Sequence, residues 1–255
     1  MKKILPIAFI FIMFSNAQAQ TLTLGQAINK ADRQRSIAFR MAKDYLLIGS
    51  GIRIDDITAD LEDATTIFNE NLHDLNIYAK SQDLKDALKL QESIWLKFRT
   101  DIFNQPDSAK ALEIMNTANS LKNACNVVLE KIEATSSNAK TVKIFNICGN
   151  QRSDLHRFAM LYTAKYWGTP YPDLNKEIAQ TQASIDINLA TLMTVPENTA
   201  EINNFLKFQL SEWIFLKKSL GDLSNLKPGT VYSSSKLMIK DILTLSGLYE
   251  KQITN

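Results

Sequence analysis

The feature that most restricts this chain is its resemblance to itself. At a separation of 117 residues, Asn29, Gln34, Arg35, Ser36, Arg40, Ala42 and Tyr45 return as Asn146, Gln151, Arg152, Ser153, Arg157, Ala159 and Tyr162. The same separation carries Asn71, Leu72 and Leu75 onto Asn188, Leu189 and Leu192, and a one-residue shift brings Gln91 and Trp95 onto Gln209 and Trp213. Self-similarity at a fixed long period predicts two copies of one supersecondary unit. Apolar residues recur at helical spacing, alternating strand patterns are missing, and only 8 glycines and 6 prolines interrupt 255 residues. The expected class is all-α.

Turn-forming residues cluster at Gly49-Ser50-Gly51, Lys80-Ser81-Gln82, Gln105-Pro106-Asp107, Ser136-Ser137-Asn138, Gly168 to Pro172, Val195-Pro196 and Gly221 to Gly229. These breaks predict eight helices, four to each copy. Thr23 with Gln26 three residues on forms a capping box for the first helix. Four amphipathic helices joined by short connections are the composition of an up-down bundle. The expected organisation is a signal segment over residues 1–19, one four-helix repeat over 20–136 and a second over 137–255. Pairing of the two through equivalent faces would imitate a homodimer within one chain.

The signal segment is read from Lys2 and Lys3, an apolar run from Ile4 to Phe14, and the small-x-small site Ala17-Gln18-Ala19. Cleavage after Ala19 implies export to the periplasm or the exterior. The apolar run is short for a membrane span, so no span is expected in the mature chain. Without Lys2 and Lys3 the 29 basic residues fall to 27, equal to the 27 acidic ones, and the charges are scattered. Nucleic acid and anionic membrane, which need a clustered positive field, are poor partners for such a surface. In an exported chain Cys125 and Cys148 are candidates for a disulfide. Their midpoint falls in Ser136-Ser137-Asn138, and a chain reversal there would set the sulfurs level on adjacent helices. Two unrelated buried thiols are the other reading.

Ile28, Ala31, Arg35, Ala38, Ala42 and Tyr45 fall on one helical seam, answered by Phe145, Cys148, Arg152, Leu155, Ala159 and Tyr162. An arginine thus interrupts an apolar stripe twice, at one matched position. A second stripe, Asn29, Arg33, Ser36 and Arg40, answered by Asn146, Asn150, Ser153 and Arg157, supplies further donors. A guanidinium keeps its charge, and burying it requires a counter-charge or a wet pocket. Two readings stay open. Arg35 and Arg152 pair with carboxylates of a neighbouring helix, Glu62 or Glu130 being candidates, or they converge and bind a small planar oxyanion or carboxylate bidentately.

The segment "INKADRQRSIAFRMAKDYL" resembles the opening helix of the PilJ-type sensor domain, found at the N-terminus of type IV pili methyl-accepting chemotaxis transducers and related to the periplasmic domain of NarX-type nitrate/nitrite sensors. Ile28, Asn29, Ala31, Arg33, Gln34, Arg35, Arg40, Met41 and Ala42 fit the pattern, and "FNICGNQRSDLHRFAMLY" retains Asn146, Gly149, Gln151, Arg152, Arg157 and Ala159. Asp32 stands where the pattern has glycine, Ser36 and Ser153 where it has methionine, and Ala38 and Leu155 where it has serine. The resemblance implies an exported sensor-like domain that binds a small anion such as nitrate, nitrite or a short carboxylate where two first helices meet. It nominates Arg35 and Arg152 as ligand residues, with Arg40 and Arg157 as second-line or structural, and the second stripe adds Ser36, Ser153, Asn29 and Asn146 as donors beside them. Such sensors continue into a signalling module, and this chain would rely on a membrane sensor partner for output. The alternative is a structural or protein-interaction bundle whose arginines are met within the chain.

Enzymatic chemistry finds no foothold in the text. No nucleophile triad, phosphate loop or zinc spacing occurs. Glu70 and His73 imitate half of a di-iron step, but the matched position of His73 is Ala190, so neither metal nor cofactor is expected. His156 replaces Phe39 and reads as a helix-surface or interface residue. Trp95 and Trp213 read as core, and Trp167 before Gly168 reads as a contact surface or a hydrophobic cap.

Overall fold

The computed structural model describes residues 22–137, 139–219, 225 and 227–253; the signal segment expected at 1–19 lies outside them. Among the described residues the regular structure is helical: α1 (Leu24–Gly49), α2 (Ile54–Tyr78), α3 (Gln82–Ile102), α4 (Ala111–Glu133), α5 (Ala139–Tyr166), α6 (Leu174–Met193), α7 (Ala200–Ser219) and α8 (Pro228–Ile253), with one 3₁₀ turn at Ser108–Lys110. The capping box at the start of α1 is present, with Thr23 and Gln26 satisfying each other's backbone N–H groups. Ser81 caps α3 through the Leu84 N–H. Pro228, placed in the last break by its sequence, instead opens α8, where its missing N–H is harmless. Gly168 ends α5 with φ of 72°, a left-handed turn that lets the Thr169 N–H return to the Ala164 carbonyl.

Packing follows from the apolar stripes. Helices α1 to α4 close one ring, α1 lying against α2 and α4 and α3 against α4; α5 to α8 close a second, with α5 against α6 and α8. The rings join through α1 and α5. These helices run in the same direction, since Asp32 meets Arg152, Phe39 meets Arg157 and Tyr45 meets Trp167 in ascending order. Small residues make the close approach possible: Ala27, Ala31, Ala38 and Ala42 on α1 and Ala159 on α5 are buried.

Bonds recur at matched places in the two rings. Trp95 Nε1 donates to Asn69 Oδ1 at 2.9 Å, and Trp213 Nε1 to Asp186 Oδ1 at 2.7 Å. Tyr45 Oη accepts the Asp107 N–H and Tyr162 Oη the Lys227 N–H, both at 2.9 Å. Both tryptophans are fully buried among Phe68, Phe98 and Phe158, so their indoles are packing elements with one satisfied donor each. Trp167 lies half-buried over Gly49 and Pro106, edge-on to Tyr45, as a hydrophobic cap on the end of the join.

The disulfide expected as a possibility is not formed. Cys125 and Cys148 are free and buried. The chain does reverse after α4, but α4 packs against α1 and α3 while α5 packs against α1, α6 and α8, which sends the two sulfurs into separate apolar clusters.

Candidate functional site

Arg35 on α1 and Arg152 on α5 sit at the join, and each is about 5% exposed. Their guanidinium groups converge on one carboxylate. Arg35 Nη2 donates to Asp32 Oδ1 and Arg152 Nη2 to Asp32 Oδ2. Asp32 lies one helical turn before Arg35, so the same helix that buries the first cation supplies its counter-charge. Arg152 Nε also donates to Ser36 Oγ at 3.1 Å, and Ser36 in turn donates to the Arg33 carbonyl at 2.9 Å.

The carboxylate that meets the arginines is therefore neither Glu62 nor Glu130, both of which are exposed. The reason lies in the residue opposite. Gly149, the match of Asp32, has no side chain, and a Cβ built on it would overlap Asp32 Oδ1 and Arg35 Nη2. Its bare backbone on α5 makes the room in which Asp32 bridges the helices. Asp32 and Gly149 form an asymmetric pair at the centre of an otherwise matched join.

That asymmetry leaves traces. Arg35 Nε and Ser153 Oγ, the matches of the Arg152–Ser36 bond, have no partner among the described residues. Glu133, at the end of α4, accepts from Asn146 Nδ2 at 3.0 Å. Burial raises the Glu133 carboxyl above its ordinary range, while the Asn146 bond and the Arg35 charge oppose the rise. Lys122 is lowered by burial and then by Arg35.

The remaining candidate residues divide. Arg40 Nη2 donates to the Asp60 carbonyl at 3.0 Å and to Asp63 Oδ2 at 2.9 Å, tying α1 to α2. Arg157, its match, pairs with Glu177 and ties α5 to α6. Both are thus engaged away from the central bridge. Asn29 is exposed and takes no part in it. His156 is buried rather than on the surface, and burial, then Lys43, Arg40 and Arg152, hold its imidazole well below its ordinary pKa. His73 is exposed, and among the described residues no group of three or more His, Cys, Asp or Glu is placed to hold a metal. No described helix is long and apolar enough to cross a membrane.

The sequence reading missed Asp32 as the partner and Gly149 as its socket. The available signal was the aspartate at a motif position otherwise held by glycine. Fold and site together define a class: an all-helical double bundle joined through a buried arginine–carboxylate–arginine bridge. Among known proteins, no family model matches the chain, and neither a curated protein nor a solved structure matches it.

Proposed function

We propose that this chain is a non-enzymatic, exported helical module, a structural or protein-interaction bundle in which Arg35 and Arg152 latch the two halves together. The observation that carries this reading is the single carboxylate of Asp32 taken by both guanidinium groups. A planar oxyanion offers a pair of arginines the same geometry that Asp32 offers them. Asp32 has the advantage of attachment, since a tethered group competes at an effective concentration in the millimolar range or above. A free nitrate, nitrite or short carboxylate would have to displace it. The likeness of α1 and α5 to the opening helices of anion sensors supports a sensor-like architecture, with the receptor site filled from within.

Thermal denaturation in the presence of nitrate, nitrite and acetate tests the proposal. The wild-type Tm stays constant as each anion is added in place of chloride at fixed ionic strength, while Arg35→Ala and Arg152→Ala each lower it without any anion. A Tm rise specific to one of these anions, lost in Arg35→Ala, would return the protein to the receptor class.

A further inference from the structure

Two corners of the molecule are built from matched positions, and only one of them is filled. In the first corner, α8 closes over α1 and α2. Tyr232 Oη donates to Asp60 Oδ2 at 2.5 Å, and the Lys236 ammonium donates to both Asp60 oxygens at 2.9 Å. Lys43 adds its charge over the Tyr232 ring, 4.6 Å from the centroid. In the second corner, α4 lies in the place of α8 over α5 and α6. The burial pattern fixes the register: Ala111, Ile114, Met115, Ala118, Leu121, Cys125, Val128 and Ile132 are buried, as are the residues 117 positions later. Glu177 therefore stands for Asp60, Met115 for Tyr232 and Asn119 for Lys236.

Neither replacement reaches the acid. Methionine has no hydroxyl, and asparagine is too short and carries no charge. What remains is a cavity of about 90 Å³ bordered by Met115, Asn116, Asn119, Arg157, Tyr171 and Glu177, with Phe39 and Met160 on its apolar side. One water needs only roughly 10–15 Å³ on this measure, so the space admits a molecule of several heavy atoms. The side-chain amides of Asn116 and Asn119, both exposed at the mouth, make no hydrogen bond among the described residues, and Arg157 engages Glu177 through Oε2. The Arg157 charge is already met by Glu177 and by the face of Phe39, 6.0 Å from the ring centroid. The acceptor of the corner with no hydrogen bond among the described residues is thus Glu177 Oε1, on a side chain that is 23% exposed.

From this geometry we infer that the α4–α5–α6 corner binds a small primary amine carried on a short apolar body. The filled corner displays the chemistry of the occupant, because Lys236 and Tyr232 place an ammonium on the carboxylate and an apolar ring beside it. In the open corner the ammonium donates to Glu177 Oε1 and to the carbonyl oxygens of Asn116 and Asn119. The carbon body rests on Met115, Met160 and Phe39. This site is independent of the Asp32 bridge, and its failure would leave the latch untouched.

The test uses the full mature chain with n-butylamine, and with butanol and butyrate as probes of similar shape but different charge. Butylammonium should raise Tm by roughly 2 °C or more at saturation and shift the side-chain amide NMR signals of Asn116 and Asn119. Butanol and butyrate should do neither. Glu177→Gln should weaken amine binding roughly tenfold or more. Because that change also frees Arg157, a second variant is decisive: M115Y/N119K rebuilds the filled corner, and should raise Tm without ligand and abolish the amine response. No response to butylammonium, an equal response to butyrate, or undiminished amine binding in M115Y/N119K would each overturn the inference.

Discussion

Position 32 carries a carboxylate and position 149 carries none, although the helices around them are matched residue for residue at the arginines. The difference shows what a near-symmetric join can tolerate. Two arginines facing each other need one anion between them, and one carboxylate with two oxygens is enough. A second aspartate in the same space would bring like charges into contact and collide with the first. The same division recurs at the edges. Gln34 in the first half is fully engaged, donating to the Phe68 carbonyl and accepting from Gln91. Its match Gln151 is buried with both side-chain atoms unpaired among the described residues, and Gln209 turns instead to the Met238 carbonyl. At this glutamine pair the first half is the satisfied one, whereas at the arginines the donor without a partner, Arg35 Nε, belongs to the first half.

If that comparison is right, Asp32→Ala is the most damaging single change at the join. It leaves two buried guanidinium groups without their counter-charge, and breaking such a pair costs about 3–5 kcal/mol, a fall in Tm on the order of 10 °C for a chain of this size. Urea denaturation read by tryptophan fluorescence measures it. The exchange variant D32G/G149D sharpens the point, because it moves the carboxylate to α5 and the socket to α1. It should recover more than half of the loss. An exchange variant no more stable than Asp32→Ala would show that the surroundings of positions 32 and 149 have diverged too far for the join to be called matched.

A smaller effect separates Phe39 from His156. Burial, and then the charges of Lys43, Arg40 and Arg152, depress the imidazole in the folded state well below its ordinary value of 6.5, so the unfolded chain takes up a proton that the folded chain refuses. Stability from this group is fully present above pH 6.5 and is lost as pH falls below it, by up to about 1.4 kcal/mol per pH unit. Asp44 acts in the opposite sense: burial raises its carboxyl, so it favours the fold at low pH and loses that contribution as pH rises through the raised value. His156→Phe, which installs the residue of the matched position, should flatten the fall in Tm between neutral pH and pH 5. An unchanged slope would place the responsible proton elsewhere.

The helices and their breaks were legible in the sequence because period and punctuation are local properties. The convergence of Arg35 and Arg152 was legible because both interrupt an apolar stripe at one matched position. The identity of their partner was not. Asp32 points across to α5 only because α1 and α5 run side by side in the same direction, and because residue 149 lacks a side chain; both are facts of tertiary packing. Glu62 and Glu130 were reasonable partners for an arginine that looks towards its own bundle, but Arg35 looks towards the other one. The corner cavity was illegible for the same reason, since Met115 and Asn119 read as ordinary helix residues until Tyr232 and Lys236 show what occupies their places in the other half.

The smallest expected effect concerns the cysteines, one in each half. A bridge from Cys125 to Cys148 would close a loop of 23 residues, and a loop of that size is worth about 3 kcal/mol, or a Tm change of roughly 6–12 °C on reduction. Free thiols in separate apolar clusters predict no change at all when a phosphine reductant is added. Burial raises both thiols, Cys148 to about 12, so neither forms the reactive thiolate in the folded chain. Alkylation by iodoacetamide should accordingly be slow in native buffer and reach both sulfurs in urea. A reductant-sensitive Tm would mean that the two sulfurs share one cluster, and the side-by-side packing of α1 and α5 that keeps them apart would have to be redrawn.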